Sequence, residues 1–219
     1  MKIIIATRNE GKMVEVKQIL SDLPVKLVFL KDLDLDIEIN EDGPTFKENA
    51  LTKARQVCDV THEWVIADDS GLCIQSLNDQ PGVKTARWAG PDVSGDQLVE
   101  FVLKQMRDFT PDKRQAYFES AVALVAPDGQ EWVFAGRIDG HLVEVPRGQA
   151  LPGLPFDQLF VPEGYQQTFA EMDAPLRNSL EHRALALAKL KRFIIQAELI
   201  EVAAEPIEIQ AIHNQEQAV

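Results

Sequence analysis

Two adjacent carboxylates, Asp68 and Asp69, followed by Ser70 and Gly71, close an apolar run that begins at Trp64. Neighbouring aspartates repel each other and are relieved by a cation, which makes the pair a candidate site for a hard divalent metal. The competing reading is local, because Asp-Ser-Gly is ordinary turn chemistry and one Asp can cap the next element. A second stretch, Thr7-Arg8-Asn9-Glu10-Gly11-Lys12, separates the β-branched run Lys2 to Ala6 from an amphipathic pattern through Met13, Val16, Ile19 and Leu20. Strand, glycine-bearing loop and helix aim backbone N–H groups at an anion, and Thr7, Asn9 and Lys12 add side-chain donors. The spacing of a nucleotide P-loop is absent, so a plain strand–helix connection competes with this reading. Two further cationic features stand out. Lys53 lies beside an apolar helical stripe, where snorkelling competes with anion contact. His182-Arg183 opens a helix whose dipole it opposes, an arrangement that points to a bound anion.

The elements that carry these residues read as alternating α/β. Lys2–Ala6 and Val25–Leu30 are short strands, and Pro24 stops the helix between them. An acidic run from Asp32 to Asp42 reads as a solvated loop, and Gly43-Pro44 turns the chain. Thr45 with Glu48 forms a capping box for a helix reaching about Val60. Leu72-Cys73-Ile74 is a short strand after the Asp pair, and Pro81 to Gly90 a loop bearing Arg87 and Trp88. A helix is expected from Asp96 to about Met106. Gln115–Ala126 and Glu131–Ile138 form an antiparallel pair about the Pro127-Asp128-Gly129 turn, where a second lobe is expected. Gly148 to Pro162 is a structured loop entering a short strand, Phe169–Met172 a turn, and Leu180 to about Leu199 the last helix.

The 219 residues are 45% hydrophobic and 26% charged, an ordinary globular composition with room for a substantial core. A net charge of -13 argues against a protein that grips a nucleic-acid backbone, yet leaves room for a local basic site for a small anion. The two cysteines, Cys58 and Cys73, lack metal-type spacing and read as buried free thiols. Neither a signal peptide nor a membrane span is expected, which points to a cytoplasmic location.

Carboxylates for Mg²⁺ beside cations for phosphate oxygens describe phosphoryl or nucleotidyl chemistry. The ordered set Thr7–Lys12, Glu41–Ala50 with Lys53-Ala54, Ala67–Leu72, Pro81-Gly82-Val83 with Ala86–Gly90, and His182-Arg183 resembles the inosine triphosphate pyrophosphatase (Ham1-type) family. The resemblance spans roughly residues 2 to 195. It implies an α/β fold, elongated and two-lobed, with a long mixed sheet and a nucleotide cleft between the lobes. Residues 1–200 would form that unit and 201–219 an acidic tail. The implied reaction is Mg²⁺-dependent hydrolysis of ITP, dITP or XTP to the monophosphate and pyrophosphate by a homodimer.

In the resembling pattern, the Thr7–Lys12 loop (with Arg8, Glu10 and Gly11) holds the triphosphate and Lys53 adds positive charge. Glu41 and Asp69 hold Mg²⁺, with Glu38 the fallback for Glu41. Asp69 is also the base toward water, Asp68 supports it, and Ser70 contacts the substrate. The base pocket maps to Leu154, Pro155, Phe156 and Asp157 with Arg177, His182 and Arg183. Here the chain departs from the family. Leu154 stands where an aromatic stacks on the purine, Pro155 removes a backbone donor, Arg177 replaces Lys, and Glu181 replaces Ser. These departures predict weakened or shifted base selectivity. Alternative readings are a pyrophosphatase for another nucleotide and a non-catalytic nucleotide-binding protein.

Overall fold

The computed structural model describes residues 1–197 and 199, apart from Asp34, Asp36 and Glu38. The fallback ligand Glu38 and the 201–219 tail therefore lie outside the described residues. The chain begins with β1 (Lys2–Ile5), α1 (Glu10–Leu20), β2 (Lys26–Phe29), α2 (Phe46–Thr61) and β3 (Trp64–Ile74). β4 (Gln80–Pro81), α3 (Gly95–Gln105), β5 (Gln115–Val125), β6 (Glu131–Leu142), β7 (Phe160–Pro162), α4 (Ala174–Leu180) and α5 (His182–Gln196) come after it. They build one mixed sheet in the order β2-β1-β3-β5-β6-β7, with β4 paired to β3. The first three strands of that order run parallel and the remaining pairings are antiparallel.

β1 is apolar on both faces because both faces are covered: Ile3 and Ile5 pack under α1 and α5, while Ile4 packs against α2. At the other end of the long strands, Leu72, Ile74, Ala116 and Phe118 meet α3 and the aromatic group Phe156, Phe160 and Phe169. β3, β5 and β6 run through both regions, so one sheet serves two cores.

Four expectations are corrected. The Asp-Ser-Gly stretch is not a turn: β3 continues unbroken to Ile74, pairing Asp69 with Ala121 and Ser70 with Ser120 of β5. The ladder to β5 supplies the backbone partners that a turn would otherwise have provided. Gly71 belongs there because a Cβ would sit 2.3 Å from the Thr85 hydroxyl oxygen and 2.5 Å from the Gly82 carbonyl oxygen. The last helix, α5, begins at His182 and not at Leu180, because Glu181 takes an extended conformation (φ −63°, ψ 140°) that separates it from the short, unexpected α4. The Pro81–Gly90 loop contains a 3-10 segment, Gly82–Arg87. The Thr45 cap is present, its oxygen accepting from Glu48 N at 3.1 Å, but Glu48 meets the Thr45 hydroxyl instead of the cap's backbone. Cys58 and Cys73 are free and buried, as their contexts predict. Among the described residues, no helix is long and apolar enough to cross a membrane.

Candidate active site

A cleft of about 700 Å³, in the range of small-molecule sites, opens where β1 and β3 meet the aromatic-rich core. Its first wall is the β1–α1 loop. Asn9 caps α1, its Oδ1 accepting from Lys12 N at 3.1 Å, and Thr7 Oγ1 accepts from Asn9 N at 3.2 Å. Asn9 also donates to Gly153 O at 3.0 Å, tying this loop to the far wall. Gly11 is required for the same closure: its N–H donates to Pro152 O, and a Cβ would lie 2.7 Å from that oxygen. Thr7, Arg8, Asn9 and Lys12 line the cleft. Gly11 is buried beneath it, and Glu10 is exposed in the first turn of α1.

The two aspartates occupy opposite environments. Asp68 is buried, with Lys12 Nζ at 2.7 Å, Arg183 Nε at 3.1 Å, and Ser70 Oγ at 3.4 Å donating to its carboxylate. Burial alone would raise its pKa, but the nearby charges of Lys12, Arg183 and Lys53 hold it well below the ordinary carboxylate range. Asp69 is half-buried and faces the cleft. One of its oxygens accepts from Asn49 Nδ2 at 2.9 Å and the other from Ser70 N at 3.0 Å. Burial, with the Glu41 charge adding to it, pushes its pKa up despite Lys12, Asn49 and Lys53. Asp68 is thus a neutralised structural anion, while Asp69 is a carboxylate still short of positive charge.

Lys53 is not a snorkelling lysine. It is buried, donates to Asp68 O at 3.0 Å and pairs with the Glu41 carboxylate. Glu41 lines the cleft and is held from behind by Arg87 Nη2, which donates to its carbonyl at 3.0 Å. Asn49 is the functional residue that sequence reasoning passed over. It shares a helix face with Lys53, and its Oδ1 also accepts from Gly43 N at 2.7 Å. A buried Asn four residues before a buried Lys on one apolar stripe is the signal that marks it.

The His182-Arg183 pair does not wait for an external anion. Arg183, 1% exposed, reaches Asp68, Glu15, Glu181 (Nη1–Oε1 3.3 Å) and Ser70 Oγ (2.9 Å). Internal carboxylates therefore offset the opposed dipole. Burial, reinforced by Arg183 and Lys12, holds the His182 pKa well below its ordinary value, so the ring is neutral and stacks on Phe118 at 4.9 Å. Leu154, Pro155, Phe156, Asp157, His182 and Arg183 all line the cleft's second half, but Arg177 does not. Arg177 sits behind Asp157, 4.0 Å from its carboxylate. Among the described residues, Phe118 and Phe156 bring aromatic side chains to the cleft wall.

Among the described residues, no group of three or more His, Cys, Asp or Glu forms a ready metal cage. Mg²⁺ keeps several waters and is commonly bound through one or two carboxylates together with substrate phosphates. Glu41 and Asp69, both on the cleft wall and the latter short of positive charge, fit that pattern.

The Ham1 family profile matches residues 3–193. A dITP/XTP pyrophosphatase of Frankia alni is 42% identical over 197 residues, covering 87% of this chain and 95% of that protein. One of Thermoanaerobacter pseudethanolicus is 38% identical over 196 residues, covering 90% and 98%. The structure of a HAM1 protein from Coxiella burnetii superposes with a TM-score of 0.80 at 31% identity, covering 90% of this chain and 99% of that one. The chain belongs to the Ham1 family.

Proposed function

We propose that this protein is a Mg²⁺-dependent nucleoside triphosphate pyrophosphatase acting on dITP, XTP and ITP, releasing the monophosphate and pyrophosphate. The names of its relatives and the shared fold support the reaction class. The observation that carries the mechanism is the asymmetry of the aspartate pair. Asp68 is saturated by Lys12 and Arg183, which leaves Asp69 as the carboxylate free to act.

The triphosphate lies along the β1–α1 loop, where the Thr7, Arg8 and Lys12 side chains on the cleft wall and the positive end of the α1 dipole face its oxygens. Lys53 adds positive charge beside Glu41. Glu41 and Asp69 would hold the metal, which supplies charge neutralisation of the phosphates and activation of water. Asp69 accepts the proton of the attacking water, and burial with the Glu41 charge raises its pKa and so its basicity. Asn49 fixes the rotamer of Asp69 so that the base stays aimed into the cleft. Thr7 and Asn9 build the loop through their internal hydrogen bonds as much as they contact ligand. A homodimeric, cytoplasmic, nucleotide-sanitising enzyme is the setting we propose.

The test is a panel of ITP, dITP, XTP, GTP and ATP assayed for pyrophosphate with and without Mg²⁺. Metal-dependent release from the first three, above GTP and ATP, supports the reading. Equal rates on all five would favour the altered-specificity alternative that Leu154 and Pro155 suggest. Silence on every triphosphate would leave only nucleotide binding.

A further inference from the structure

The segment 149–153 leads into the second wall of the cleft, and Pro152 and Gly153 are exposed. Among the described residues, two hydrogen bonds tie this segment to other elements, and both come from the entry to α1. Asn9 Nδ2 donates to Gly153 O at 3.0 Å, and Gly11 N donates to Pro152 O at 3.1 Å. The joint is also closed sterically from both sides. A Cβ on Gly153, whose φ is +79°, would lie 2.6 Å from Asn9 Nδ2, and one on Gly11 would lie 2.8 Å from Leu154 Cγ. Leu154 therefore packs onto the first turn of α1. Pro155 reaches α3, where a Cβ on Gly95 would lie 3.1 Å from Pro155 Cβ.

We propose that Asn9 is a positioning residue for the wall that faces the base, and not a holder of the triphosphate; this rests on the pyrophosphatase reading above. Both ends of its side chain are engaged within the protein. Oδ1 accepts from Lys12 N at 3.1 Å and caps α1, while the amide nitrogen holds Gly153. Thr7, Arg8 and Lys12 remain on the same wall to meet phosphate oxygens.

The base of a bound nucleotide lies at the end of the cleft away from those phosphate contacts, against Leu154, Pro155 and Phe156. The two ends of that wall are held unequally. Beyond it, Arg147 N donates to Gln158 O and Val143 N to Leu159 O, each at 2.9 Å, and Phe156 is buried in the aromatic core. Ahead of it stand only the Asn9 and Gly11 bonds, on exposed carbonyls that water can satisfy once they are released. An exposed segment with so few ties opens at low free-energy cost. Without the Asn9 bond the front of the wall, Gly153 to Pro155, samples several positions. The nucleotide must then order it on binding, which costs affinity at the base end alone.

Calorimetry with two probes separates the ends of the cleft: tripolyphosphate with Mg²⁺, which has no base, and IMP. Asn9→Ser keeps an oxygen to cap α1 but is too short to reach Gly153 O. In this variant IMP binding weakens about five- to tenfold, the worth of one net hydrogen bond, while tripolyphosphate binding stays within about twofold of wild type. In turnover the KM for ITP rises and kcat is little changed. Gly153→Ala presses on Asn9 from the other side and lies outside the phosphate loop, and it gives the same pattern. The two changes together cost less than their sum, because they break one joint. Tripolyphosphate binding weakened as much as IMP binding in Asn9→Ser, or IMP binding unchanged in either variant, overturns the inference. If Asn9→Ser fails to fold, Gly153→Ala decides. Selective loss of IMP binding in a protein that hydrolyses no triphosphate would sink the reaction assigned above and leave this inference standing.

Discussion

Arg183 is the residue on which the inner half of the cleft depends, and Arg183→Met tests that directly. Methionine keeps most of the apolar stem and removes the guanidinium. The structure gives Arg183 contacts with three carboxylates (Asp68, Glu15 and Glu181) and with the Ser70 hydroxyl, at 1% exposure. Removing one partner of a buried ion pair costs about 3–5 kcal/mol, because the charge left behind is uncompensated. Lys12 still neutralises Asp68, so the loss falls mainly on Glu15 and Glu181 and lies within that range instead of multiplying it. The pH dependence has a definite sign. Burial and the Glu15 charge already hold the folded-state pKa of Glu181 above the ordinary glutamate value, and losing Arg183, which opposes them, raises it further. The variant is then least penalised in mild acid, where the Glu181 carboxyl bears a proton, and most penalised as pH rises through its folded pKa. Urea unfolding of wild type and variant at pH 5 and pH 8 reads both effects. A penalty under about 1 kcal/mol at pH 8, or an equal penalty at the two pH values, would show that this network does not hold the site as argued.

Asn49→Ala should lower kcat/KM by about ten- to a hundredfold, the worth of a hydrogen bond to a charged group, with a smaller change in KM than in kcat. A melting curve run alongside separates this from loss of the Gly43 contact. Gly71→Ala should destabilise by about 1–3 kcal/mol, since the added carbon meets the Thr85 hydroxyl oxygen and the Gly82 carbonyl. Thr85→Ala should rescue it only in part, because the backbone oxygen at 2.5 Å remains. Chelation of divalent ions should abolish turnover without lowering the melting temperature, and added Mg²⁺ should restore it. A fall in melting temperature on chelation would mean a structural metal instead.

Much of the scaffold is legible in the sequence because it is local. The Ile3-Ile4-Ile5 run declares a strand covered on both faces, and Asn9 and Thr45 announce their helices through cap chemistry. The Asp68-Asp69 pair is visible as a chemical feature, but its division of labour is not. Arg183, which saturates Asp68, lies 115 positions away, and Asn49, which orients Asp69, lies 20 away. The strand through Ser70 and Gly71 is hidden because turn residues are locally ambiguous, and only the pairing with β5 decides them. Glu15 is fully buried in α1, off its apolar stripe, since the face it occupies is covered by residues from the far end of the chain. The helix break at Glu181 is equally hidden, because neither Gly nor Pro marks it.

The central claim is that Asp69, with Mg²⁺, directs water at the anhydride between the first and second phosphoryl groups while Asp68 only supports it. Phosphorus NMR of ITP turnover by wild type and Asp69→Asn tests it most directly. The account predicts IMP and pyrophosphate as the wild-type products, and no measurable turnover in a variant that still folds. Formation of IDP and phosphate, or wild-type rates in Asp69→Asn, would contradict it.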